Sequence, residues 1–136
     1  MLWKRAIAVA RLGRAGECRA VWFYRLRGYR IVARNVRLPA GEIDLVARRG
    51  RTLVIVEVKT RQSLAAGEGH DAVHREKRLR LIRLADQYVA STRMRDIGIR
   101  YDVLSLFWNG RRFVVSHFAD AFHPVADRRR PWKWGA

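Results

Sequence analysis

Three acids and a lysine fall at alternate positions in two apolar runs, Glu42 and Asp44 in "GEIDLVARR" and Glu57 and Lys59 in "TLVIVEVKTR". Carboxylates in such surroundings cost free energy unless a cation or hydrogen-bond donors meet them. Hard divalent cations such as Mg²⁺ take oxygen ligands, commonly one or two carboxylates with waters and substrate phosphate oxygens. Asp44, Glu57 and the backbone carbonyl of Val58 could make such a site, with Mn²⁺ as a substitute. Lys59 lies two residues beyond Glu57 and so on the same face of a strand. A compact ammonium there can orient an attacking water or stabilise charge developing at phosphorus. The chemistry implied is phosphodiester hydrolysis. The same alternation also describes a solvent-facing sheet surface with ordinary salt bridges.

For these residues to meet, the two runs must pair as an antiparallel hairpin. A loop at Arg49-Gly50, or over residues 48–51, sets Ala47 opposite Thr52, Asp44 opposite Ile55 and Glu42 opposite Glu57. Glu42, Asp44, Glu57 and Lys59 then share one face, while Ile43, Leu45, Val54, Val56 and Val58 make an apolar face that a helix can cover. Upstream, residues 15–27 have helical spacing, with Glu17, Ala20, Val21 and Tyr24 in line and Gly28 as the stop. Residues 29–35 form a further strand. A second helix spans 71–91, its stripe made of Leu81, Ile82, Ala85, Tyr88 and Val89, with Lys77, Arg80 and Arg83 largely off it. Residues 101–108 and 112–118 read as a hairpin closed by Asn109-Gly110. The order is helix, three strands, helix, two strands: an α/β chain with one domain over 1–122 and a basic, Trp-containing tail over 123–136.

Lys and Arg number 29 against 12 Asp and Glu, a net charge of +17. A surplus of that size points to a polyanionic partner. No run approaches transmembrane length, and Arg11 interrupts "AIAVA" too early for a secretory segment, so a cytoplasmic protein with no membrane partner is expected. Cys18 is the lone cysteine. It can form neither an internal disulfide nor a thiolate metal cluster alone. The Asn109-Gly110 turn sets Asp102 opposite His117, which reads as a structural ion pair or else as an extension of the active site. His70 and His74 have zinc-like spacing without a third soft ligand, which reads as chance. Trp132 and Trp134 beside Arg128, Arg129, Arg130 and Lys133 could stack on bases while the cations track phosphates, or simply dock on the domain.

"IDLV" followed by "VEVK" resembles the Asp, then Glu-X-Lys signature of the PD-(D/E)XK nuclease superfamily, with Ile43 where the name of that motif has proline. The longer string is more specific. Gly16-Glu17, "GYRIVARNVR" from Gly28, "GEIDLV", "VEVKTR", Lys77 and "RYDVLSL" from Arg100 together resemble the YraN family of small bacterial proteins, over roughly residues 13–122. That resemblance implies a restriction-endonuclease-like αβββαβ core with a mixed central sheet flanked by helices, close to archaeal Holliday junction resolvases. It puts Asp44, Glu57 and Lys59 on metal-binding and catalytic positions, and Glu17 on the first-helix acid of resolvase-like members. The expected function is a Mg²⁺-dependent, structure-selective endonuclease. Arg61, Lys77, Arg80 and the basic tail would hold nucleic acid, DNA ahead of RNA, and two subunits would pair if junctions are cut. The alternative is an accessory module that binds nucleic acid through an idle nuclease-like site.

Overall fold

The structure, a computed structural model, describes residues 2–62 and 75–124. Helix α1 (Leu2–Arg25) leads into strands β1 (Arg30–Leu38), β2 (Gly41–Arg49) and β3 (Thr52–Arg61). Helix α2 (Arg75–Thr92) and strands β4 (Gly98–Trp108) and β5 (Phe113–Phe122) follow. The element order is the one expected from the sequence. All five strands join one mixed sheet in the order β1-β2-β3-β4-β5, parallel only between β3 and β4. Parallel neighbours need a crossover, and α2 lies within it.

The central strand shows why the helices must take opposite faces. Leu53 to Val56 is an unbroken apolar run, each residue at most 1% exposed. Such a run is stable only where both faces are covered. Val54 and Val56 pack with Leu45, Ala47, Leu104 and Leu106 beneath Ala20, Val21, Phe23 and Tyr24 of α1. Leu53 and Ile55 pack with Val46, Tyr101 and Val103 beneath Leu81, Ile82, Ala85 and Tyr88 of α2. Glu57, in step with Leu53 and Ile55, therefore lies on the face that α2 covers and not on the solvent-facing surface of the alternative reading.

Four expectations need correction. The first helix starts near residue 2 rather than residue 15, because its leading half runs past the sheet with residues 2–11 exposed. It carries good helix formers but no core-facing stripe, so periodicity could not detect it. The β2–β3 register is shifted by two: Arg49 faces Thr52 and Ala47 faces Val54, which makes Gly50-Arg51 the loop. Glu42 consequently lies beside Arg37 of β1, not opposite Glu57. Ile43 belongs to the cluster under α2, away from Leu45 and Val56. At the last hairpin Trp108 pairs with Phe113, so the connection has four residues, and His117 faces Leu104 rather than Asp102. Asn109 closes that longer loop by accepting from the amides of Arg111 and Arg112 at 2.9 and 3.0 Å.

Gly28 ends α1 as the spacing predicts. With φ at +86° it donates to the Arg25 carbonyl, and Tyr29 donates to that of Tyr24. These two bonds define a Schellman cap, and the Tyr24 and Tyr29 rings supply its apolar contact at 5.4 Å.

Candidate functional site

The register of β2 and β3 runs only as far as Leu45 opposite Val56. Beyond that pair the strands diverge, and Asp44 and Glu57 are the next residues into the fork. The fork has a cause in β1. Asn35, which the constant register places across from Asp44, has a positive φ of 50°. Asparagine tolerates this conformation better than most residues. Alternation breaks on both strands there: Ala33 and Val36, three apart, pack against the same cluster, as do Ile43 and Val46. Asp44 is thereby turned from the normal of the sheet toward β3, where its Oδ2 accepts the Val58 amide at 2.9 Å.

Glu57 reaches the fork from the other side. It is 8% exposed and pairs with Lys77 of α2 at 2.5 Å. Burial first, and then the nearby Glu57 charge, push the Asp44 carboxyl up to about 7, against the opposing pull of the Val58 amide. The two carboxylates thus share a partly desolvated space in which the charge of Glu57 disfavours that of Asp44. Lys59, partly buried, follows Glu57 by one alternation on the α2 face of β3.

The remaining predicted residues divide. Glu17 is partly buried on α1 and accepts from Asn35 Nδ2 at 3.4 Å, which brings it to the strand beside Asp44 without joining the pair. Among the described residues no group of three or more His, Cys, Asp or Glu could hold a metal ion. Lys77, expected from the sequence to hold nucleic acid, pairs with Glu57. Arg80 is exposed on α2 and Arg61 is partly buried at the end of β3. Arg128, Arg129, Arg130, Lys133, Trp132, Trp134, His70 and His74 lie outside the described residues. Cys18 is exposed. No helix among the described residues is long and apolar enough to cross a membrane.

A second charged cluster sits on the α1 face. Asp102, 1% exposed, binds Arg100 through two 2.8 Å bonds, accepts the Tyr24 hydroxyl and the Asp120 amide, and lies 2.8 Å from His117 Nε2. The Asp102–His117 pair expected from the sequence is present despite the corrected register. Burial alone would raise the Asp102 carboxyl. The bonds from His117, Arg100, Asp120 and Tyr24 hold it well below the usual carboxylate range. Tyr24, by contrast, is raised by burial and by the Asp102 charge. Arg100 was legible, since residues two apart in a strand share a face. Tyr24 was not, because only the docking of α1 brings it there, and the same holds for Lys77.

Residues 16–106 match the model of "Uncharacterised protein family UPF0102". A relative in Syntrophotalea carbinolica is 40% identical over 111 residues, covering 82% of this chain and 90% of its own. One in Symbiobacterium thermophilum is 47% identical over 96 residues, covering 71% and 81%. One in Flavobacterium psychrophilum is 38% identical over 112 residues, covering 82% and 93%. All three carry the name UPF0102 protein. The matched span includes Gly16-Glu17, "GEIDLV", "VEVKTR" and "RYDVLSL", so the chain belongs to the UPF0102 family, the YraN family that those motifs resemble.

Proposed function

We propose that this protein is a divalent-metal-dependent endonuclease of the PD-(D/E)XK type, with a restriction-endonuclease-like core. The observation that carries the reading is the β2–β3 fork, where Asp44 and Glu57 converge and Lys59 follows on the same strand face. The donor set fits Mg²⁺ or Mn²⁺: hard oxygens, two carboxylates, and a site that needs phosphate oxygens to complete it. When bound, such an ion supplies an activated water and neutralises charge on the phosphate. Asp44 and Glu57 would hold it. The Val58 amide orients Asp44, and Lys77 holds Glu57 at the fork. Lys59 stabilises the charge that develops at phosphorus. Glu17 acts through Asn35 as a positioning residue. The excess of basic residues grips the phosphate backbone.

Lys77 supports a second reading, the accessory module, because it already supplies a cation to Glu57. One set of measurements separates the two. Purified protein with Mn²⁺ should cleave at least one of four-way junctions, flaps, single strands, linear duplex and structured RNA. Lys59→Ala should bind metal and nucleic acid as before yet cleave slower by a factor on the order of a hundred, the scale for losing one electrostatic partner of the transition state. Asp44→Asn and Glu57→Gln should lose the Mn²⁺ heat in isothermal titration. Unchanged titration in both variants ends the site assignment, and binding without cleavage across the panel favours the module.

A further inference from the structure

We infer that the groove between the leading half of α1 and the β4–β5 connection holds an unpaired strand of nucleic acid, the single-stranded arm of the substrate. The inference rests on the nuclease reading above and narrows its substrate to joints between duplex and single strand. The groove has a volume of about 630 Å³, within the range of about 300–1,000 Å³ usual for ligand sites. Aromatic rings line both of its walls. Trp3, 62% exposed, stands on the helix, and Trp108 and Phe113 close the other side with ring centroids 5.1 Å apart. Lys4 and Arg11 share the helical wall, and among the described residues no acidic side chain lines the groove. Lys4 Nζ lies 5.5 Å from the Trp3 ring.

This chemistry selects the occupant. Cations beside open aromatic faces suit an anionic chain with flat, unstacked bases, the arrangement by which single strands are held without sequence preference. A blunt duplex hides its base faces and offers the rings nothing to stack on. A second copy of the chain brings another +17 against Lys4 and Arg11. A lipid surface needs a convex apolar face, whereas these rings line the two walls of a groove shared with Lys4 and Arg11. Position links the groove to the fork: Gln62, which lines it, directly follows β3, five residues beyond Glu57. At roughly 3.3 Å per residue that is about 17 Å, and since the groove lies on the α1 side while Glu57 faces Lys77 of α2, an unpaired arm reaches the acids by passing round the end of β3.

Fluorescence anisotropy of labelled oligothymidine and of a labelled blunt duplex tests the inference on the full chain. Trp3→Ala, at an exposed position, should weaken oligothymidine binding about tenfold, as expected for one lost stacking partner. Duplex binding should hold within about twofold. Trp3→Phe should restore most of the loss, and Trp22→Ala, which removes another exposed tryptophan of α1 outside the groove, should change neither. Equal weakening on both ligands, or none on oligothymidine, overturns the inference. So does a Trp3→Ala loss confined to phosphatidylcholine–phosphatidylglycerol vesicles, which assigns the groove to lipid. Wild type that binds duplex but not oligothymidine sinks the inference and leaves the nuclease reading standing, whereas binding to neither sinks both.

Discussion

Asp44 and Asp102 are carboxylates in the same sheet pushed in opposite directions, and stability should follow each with opposite sign. Asp44 is raised to about 7 by burial and by Glu57. Between about pH 4 and 7 the folded chain therefore binds more protons than the unfolded one, and stability falls as pH rises through that window. Without metal, wild type should lose on the order of 2–4 kcal/mol across it relative to Asp44→Asn, read by urea unfolding at pH 5 and 8. The reverse ordering would mean that the fork is already neutralised. Asp102 is held below the usual range by its donors. Its contribution is complete above the ordinary carboxylate pKa and disappears as pH falls below it. Asp102→Ala leaves Arg100 and His117 without their acceptor and should cost about 3–5 kcal/mol near neutrality, measured by the same unfolding curves.

At the scale of elements, α1 sits as close to β3 as its sequence allows. A Cβ on Gly16 would fall 2.3 Å from Thr60 Oγ1 and 3.0 Å from its Cγ2. Gly16→Ala must push the helix outward or twist Thr60, at a cost of about 1–3 kcal/mol. Because Glu17 follows Gly16 directly, it also moves away from Asn35. Thr60→Ala in the same chain should recover part of the loss, and a double-mutant cycle with no coupling would place the strain elsewhere. Helix α2 ends in the same cap as α1 but with arginine where α1 has Gly28. Arg93 occupies the left-handed position with φ at 55° and donates to the Ala90 carbonyl, while Met94 donates to that of Val89. Glycine relieves that conformation without touching either bond, so Arg93→Gly should raise stability by about 1 kcal/mol in thermal unfolding.

For the whole molecule the dominant property is charge. With 29 basic residues against 12 acidic, duplex affinity should fall steeply with salt, by about 10³ or more between 50 and 200 mM if six or more phosphates are neutralised. A flat salt dependence in anisotropy titrations would remove the polyanion as partner. The same charge makes copies of the chain repel one another.

Alternation and turn chemistry were enough to determine the element order, the apolar central strand and the Gly28 cap. Each rests on local geometry, on side-chain direction along one strand or helix or on a residue whose backbone preference acts at its own position. They were enough, too, to single out Asp44, Glu57 and Lys59, because acids inside apolar strands stand out against the pattern that packing selects. Register and placement were decided elsewhere. A shift of two residues preserves every face, so the sequence could not choose between Glu42 and Asp44 as the neighbour of Glu57. The close of the loop at Gly50-Arg51 and the backbone break at Asn35 made that choice. Lys77 meets Glu57, and Tyr24 meets Asp102, only because two helices dock on opposite faces of one sheet, and contacts between residues far apart in the chain exist only once that packing has formed.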